Sequence, residues 1–281
     1  TMIDPSTIIP LKVPSNWFVL RNNFYNLEPV EGKDGYVLKE QKFAFNFELF
    51  VLKQMIFADE EKECKNGFII DFGWIPEAKI NGVYSIGIYY EDYENHKLSF
   101  EHRDRYVMQR VINFFLTHLS EYKESPTLAS IRTVVNNINV LSTSDSPLLI
   151  PLKIFSPTGV FENNFYDQSP EEVFITNNQI LLKFKRGNPS EKSNKFGWIF
   201  NSFGILLRLR KVEQAYWYHL QITHDQEESA LFEFQHQDRY VIQAVVNLCT
   251  EVIAYADVRD IIDDFRKKVA KTVQALEQSS T

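Results

Sequence analysis

Cysteine and glycine are scarce in this chain of 281 residues. Cys64 and Cys249 are the only thiols. They match no metal-ligand spacing and read as buried apolar side chains, a usage that fits a reducing compartment. Ten glycines leave little room for Gly-rich phosphate loops, and none of the phosphate-binding, dinucleotide or nucleophile-elbow patterns occurs. The six histidines (His96, His102, His118, His219, His224, His236) show no H-E-x-x-H pair and no Cys partner. His219 and His224 are five apart on a strand and its turn, which points them to opposite faces. No metal and no cofactor are expected. No apolar run reaches the roughly 18 residues a membrane span needs, and the start has neither a basic n-region nor an apolar h-region. The expectation is a cytoplasmic protein with no membrane span. A formal net charge of −7 repels nucleic acid on average, though a local basic patch remains compatible with it.

Aromatic residues are what the chain has in quantity: 23 Phe and 13 Tyr, residues that suit pleated, half-buried surfaces. The chain also repeats itself. Ile9-Pro10-Leu11-Lys12 recurs as Ile150-Pro151-Leu152-Lys153, 141 positions on, and Asn22-Asn23-Phe24-Tyr25 recurs as Asn163-Asn164-Phe165-Tyr166 at the same offset. His102-Arg103-Asp104-Arg105-Tyr106-Val107 returns as His236-Gln237-Asp238-Arg239-Tyr240-Val241, 134 positions on, so the second copy is seven residues shorter in between. A period this long means two domain-sized units rather than a solenoid.

Within each unit, alternating segments come first and helical periodicity follows. In the first, strands are expected at Trp17–Leu20, across Phe43–Phe57, at Gly67–Ile75, Val83–Tyr90 and Lys97–His102, with a charged turn at Asp59–Glu63. Asp104 is the expected N-cap of a helix carrying Val107, Val111, Phe114, Phe115 and Leu119 on one face. A shorter helix over Thr127–Leu141 follows. In the second unit, strands are expected at Val173–Thr176 and Gln179–Lys185 around an Asn177-Asn178 turn, then at Phe196–Phe200, Gly204–Lys211, Ala215–Thr223 and Ala230–His236. A helix from Asp238 to about Tyr255 precedes an amphipathic one over Val258–Leu276, striped by Ile261, Ile262, Phe265, Val269, Val273 and Leu276. Strands before helices, without βαβ alternation, mean α+β. The reading is a tandem duplication of an antiparallel sheet or partly open barrel of six or seven strands, closed by a C-terminal helix, with a further helix after each unit. Residues 1–141 form the first unit, 142–149 the linker, 150–256 the second unit and 257–281 the terminal helix.

The ending Leu231-Phe232-Glu233-Phe234 followed by Asp238-Arg239-Tyr240-Val241-Ile242 resembles the last strand and first helical turn of pleckstrin-homology-like domains. The duplicated sheet-plus-helix plan is similar to that of Whirly and Pur-type single-strand-binding proteins. The first resemblance would imply lipid headgroups as ligands, for which only Lys185 and Arg186 lie near a suitable hairpin.

His102 and His236 each precede an Asp by two positions, the arrangement a general acid–base pair would use, but local hydrogen bonding at a strand end accounts for it as well. Arg105 and Arg239, at a helix N-terminus, suit a phosphate or a neighbouring acid, and Tyr106 and Tyr240 read as core-edge rings. One basic cluster interleaves with aromatics: Lys183, Lys185, Arg186, Lys192, Lys195, Arg208, Arg210 and Lys211 with Phe184, Phe196, Trp198 and Trp217. This is the composition of single-stranded nucleic-acid platforms and also of a solvated sheet face. The candidate site residues are Lys183, Lys185, Arg186, Arg208, Arg210, Trp198, Trp217 and Arg239. The functional expectation is a non-enzymatic binding or adaptor protein with a protein partner or self-association. Single-stranded nucleic-acid binding is the alternative, and an enzyme with a His/Asp site comes last.

Overall fold

The computed structural model describes residues 4, 7–57, 64–120, 149–155, 157–168, 180–184, 201–225 and 227–279, with side chains left aside at 57, 64–66, 97, 201 and 202. The expected helix over 127–141, the charged turn at 59–63, the strands at 173–176 and 196–200, the Asn177-Asn178 turn and nearly all of the linker lie outside the described residues. So do Lys185, Arg186 and Trp198. The fold is mixed α+β with antiparallel sheet, in two compact units, Thr1–Ser146 and Pro147–Thr281.

The first unit holds β1 (Trp17–Asn22), β2 (Phe50–Phe57), β3 (Cys64–Ile75), β4 (Val83–Tyr90) and β5 (Asp92–His102), each hydrogen-bonded antiparallel to the next, then α1 (Arg105–Leu119). The strict alternation of β4 buries Tyr84, Ile86, Ile88 and Tyr90 on one face. Against them stand Phe68, Ile70, Phe72 and Trp74 of β3. Phe24, Phe72, Tyr84 and Trp74 meet ring to ring at centroid distances of 4.7–5.6 Å, contacts that add to the 1.5–3 kcal/mol, in rough terms, of burying each large apolar side chain. Helix α1 contributes Met108, Val111, Ile112, Phe115, Leu116 and Leu119 to the core.

The second unit holds β6 (Thr158–Asn163), β7 (Ile180–Phe184), β8 (Asn201–Val212), β9 (Ala215–His224) and β10 (Phe232–His236), again paired antiparallel in order. Two helices follow, α2 (Arg239–Tyr255) and α3 (Val258–Ser279). The apolar stripe of α3 lies against its own unit: Val258, Phe265 and Val269 are buried, and Phe265 meets Phe232 edge-on at 5.0 Å.

Several local bonds are alike in the two units. β1 and β6 occupy equivalent positions, and each breaks its register at one place, after Val19 and after Val160. In each, an Asn side chain turns the chain out of the strand: Asn22 Oδ1 accepts the Phe24 N–H, and Asn163 Oδ1 accepts the Phe165 N–H. In each, the opening segment is strapped to the helix. Asn113 Oδ1 accepts the Lys12 N–H and Asn247 Oδ1 the Lys153 N–H, both at 2.8 Å. Gln109 and Gln243 donate to the Pro10 and Pro151 carbonyls, both at 2.7 Å.

Five strands are described in each unit, their antiparallel pairing leaves the sheet open among the described residues, and a helix follows them. Two expectations need correction. The alternating Phe43–Leu49 is not a strand: Lys39–Phe45 is a 3₁₀ helix, with Ala44 and Phe45 buried while Phe43 and Phe47 stand 40% and 55% exposed. The neighbours Ala44 and Phe45 share the buried side there, which the two-residue alternation of a strand does not allow. β6 falls where the sequence reading placed no strand.

Candidate functional site

The duplicated corner is built alike in both units. His102 Nδ1 accepts the Asp104 N–H and His236 Nδ1 accepts the Asp238 N–H, both at 2.9 Å. An accepting Nδ1 carries no proton, so each neutral ring holds its proton on Nε2. The Asp carboxylates then cap the helices. Asp104 accepts the N–H groups of Tyr106 and Val107, and Asp238 that of Tyr240. These backbone donors hold the Asp104 carboxyl below its ordinary range.

The arginines are held inside their own units. Arg105 pairs with Glu28 and donates Nε–H to Asn26, while Arg239 donates Nε–H to Asp167 at 2.7 Å. Tyr106 and Tyr240 are not core-edge rings. They are 48% and 51% exposed, lie against the guanidiniums of Arg105 and Arg239, and donate their hydroxyls to Asn26 and Asp167. The corner joins strand end, helix start and the Asn26 or Asp167 loop. Arg239 therefore stands apart from the other candidate residues, engaged in this clamp.

The basic strands are a different matter. Antiparallel partners point to the same side. β8 buries Ile205, Leu207 and Leu209, which turns Gly204, Leu206, Arg208 and Arg210 to the outer face. Cross-strand pairing adds Lys183 opposite Gly204, His219 opposite Arg208 and Trp217 opposite Arg210. Lys183, Arg208, Arg210 and Trp217 thus share one face. Arg208–His219 and Arg210–Trp217 are adjacent pairs, and Lys183 lies about 13 Å further along, four residues of strand rise. Lys183 sits over the Phe161 ring at 5.3 Å. Lys211 belongs to the opposite face, over Tyr216. Glu233 interrupts the positive charge: it accepts from Gln221 at 2.6 Å and stands 3.9 Å from His219 Nε2.

The sequence reading weighed His219 only as a metal ligand and passed over Asp71. His219 is 6% exposed, and neither ring nitrogen has a hydrogen-bond partner. Burial, then Arg210, push its imidazole below the ordinary value, with Glu233 opposing. The available signal was a histidine in phase with the outward residues of a strand. Asp71, on the outer face of the first unit, breaks an apolar run, Phe68-Ile69-Ile70-Asp71-Phe72, and that break was its signal.

Among the described residues, no group of three or more His, Cys, Asp or Glu could hold a metal, and no helix is long and apolar enough to cross a membrane. No family model, no curated protein and no solved structure matches the chain.

Proposed function

We propose a non-enzymatic binding protein, built by tandem duplication of one α+β unit, that engages a protein partner through the outer faces of its sheets. One observation carries this reading: matching positions on the two scaffolds bear different outward chemistry. Counted from the corner histidines, Tyr84 pairs with His102 as Tyr218 pairs with His236. From that anchor, Gly73–Ser85 and Ile75–Val83 of the first unit correspond to Arg208–His219 and Arg210–Trp217 of the second. Asp71–Gly87 corresponds to Leu206–Gln221. The scaffold is kept and the faces differ, as in an adaptor. The histidines, aspartates and arginines of the corner all enter structural bonds in both copies, which supports a structural role there over an acid–base one. The repeated straps, bulges and caps support the duplication. An open antiparallel sheet followed by a helix supports the Whirly- and Pur-type layout over a pleckstrin-like barrel. Two lone cysteines fit action in the cytoplasm.

The test is affinity capture with the intact chain and with folded outer-face variants, Arg208→Glu/Arg210→Glu and Tyr89→Thr. A partner retained by the parent and lost by one variant is expected. Capture that no outer-face change alters, with a monomer by light scattering, would refute it.

Single-stranded nucleic-acid binding is the second reading, favoured by the placement of Lys183, Arg208, Arg210 and Trp217 on one face, where guanidiniums meet phosphates and an indole stacks on bases. It predicts salt-sensitive binding of oligonucleotides that Arg208→Glu/Arg210→Glu abolishes. Absence of binding at low salt removes it.

A further inference from the structure

The outer face of the first unit carries an unusual grouping. Asp71 lies opposite Val51 on one side and Gly87 on the other. Two residues past Gly87, the ring of Tyr89 folds back over it. A Cβ at position 87 would stand 2.9 Å from Tyr89 Cε2 and 3.0 Å from its hydroxyl oxygen. The missing side chain thus lets the phenol lie beside the carboxylate's cross-strand neighbour. Tyr93 meets Tyr89 at 5.2 Å with the rings inclined by 59°.

Asp71 is incompletely satisfied. Its Oδ1 is sealed from solvent and accepts no hydrogen bond. Burial, and next the charge of Glu48, push the carboxyl above its ordinary range, while the Phe72 N–H and Arg21 pull the other way. Of the nearby cations, Arg21 is bonded to Glu48 at 2.5 Å, and Lys53 holds its ammonium over the Tyr93 ring at 5.8 Å, where an incoming ammonium would displace it. His96, whose ring lies 5.3 Å from that of Tyr89, bonds to Ser99. Lys53 also demonstrates that a ring face here accepts an ammonium group.

The second unit supplies an internal control. Its residues at these positions are Leu206, Gln221 and Thr223. The same sheet forms there without the carboxylate, the glycine or the tyrosine, so folding does not require them. A poorly compensated carboxylate beside two tilted phenol faces, absent from the sister unit, is the chemistry that recognises an organic ammonium.

We propose that Asp71, Tyr89 and Tyr93 form a seat for an alkylammonium group, the side chain of a lysine presented by the protein partner. The inference rests on the protein-partner reading above and names what that partner must display.

The probe is Nα-acetyl-lysine methylamide, followed through the aromatic NMR signals of Tyr89 and Tyr93 in the intact chain. Nα-acetyl-norleucine methylamide serves as the uncharged control and inorganic phosphate as the opposite charge. The lysine probe should give saturable shifts with an affinity of about 1–10 mM, as befits a single exposed side chain. Norleucine and phosphate should give none. Asp71→Leu and Tyr89→Thr, which install the sister unit's residues, should each weaken binding about tenfold or more. Asp71→Leu should at the same time raise the melting temperature, because it removes a poorly satisfied group; a purely structural carboxylate would lower it. Equal shifts from norleucine, undiminished binding in Asp71→Leu, or no saturation by about 100 mM would overturn the site. Captured partner that survives Asp71→Leu would defeat this inference alone. Lysine binding with no partner captured would defeat the protein-partner reading and leave the site standing.

Discussion

The asparagine straps give the sharpest test of how the units are held together. In the first, Asn113 on α1 accepts the Lys12 N–H at 2.8 Å, between the buried Leu11 and Val13. Asn113→Ala leaves that N–H without its acceptor in a half-buried place. Stranding such a donor costs about 1–3 kcal/mol, more than the net value of the bond itself. For a unit of this size, that lowers the melting temperature by roughly 3–6 °C per kcal/mol. Asn247→Ala removes the equivalent bond to Lys153, but there Thr250 also grips the segment, donating its hydroxyl to the Lys153 carbonyl at 2.7 Å. The first unit has Leu116 at the matching helix position and no such second grip. Asn113→Ala should therefore free its strap more completely than Asn247→Ala. Calorimetry reads the stability, and amide hydrogen exchange at Lys12 and Lys153 reads the straps individually. The two losses should be nearly additive in the double variant, since no bond is shared. Losses below about 0.5 kcal/mol in both, or equal exchange at the two amides, would refute the argument.

Three further outcomes follow from the same geometry. Asp104→Ala and Asp238→Ala should each cost about 1 kcal/mol as lost caps, measured by denaturant unfolding. Because the folded Asp104 carboxyl titrates below its unfolded value, its contribution is present at neutral pH and is lost as pH falls through the lowered folded value. His219 works in the opposite sense to a paired histidine: its folded value is lowered, so the unfolded chain takes the proton first and stability declines as pH falls below about 6.5. His219→Leu should flatten that part of the pH–stability curve, and an unchanged slope would count against the buried neutral ring. Gly73→Ala should destabilise the first unit by about 3 kcal/mol in thermal melts, because its Cβ would fall 1.8 Å from the Phe47 carbonyl oxygen, a backbone atom with little freedom to yield.

Local chemistry is written along the chain, and much of the fold is legible there. Asp104 and Asp238 precede a switch from period two to period 3.6, which marks strand end, cap and helix from residues close in sequence. The strands β4 and β9 and the helices α1, α2 and α3 follow from periodicity for the same reason. Phe43–Leu49 misled because alternation of large and small residues is compatible with a 3₁₀ turn when backbone contacts settle the matter: Asn46 and Phe45 carbonyls accept from Trp74 and Ala78. β6 escaped because its short Thr-Gly-Val-Phe-Glu-Asn run has weak alternation and is held by its pairing with β7.

The candidate faces belong almost wholly to pairing. Arg208 and Arg210 reveal their common side in one strand, but their companionship with His219, Trp217 and Lys183 depends on register, which joins residues distant in sequence. Arg239 has the same composition-level promise as Arg208, yet its bond to Asp167, 72 positions away, makes it a structural clamp. The correspondence of Asp71 with Leu206 likewise emerges only when both hairpins are aligned from their corner histidines. Short-range propensity and capping write the elements into the amino-acid order; long-range strand pairing, which no local pattern encodes, chooses which side chains meet.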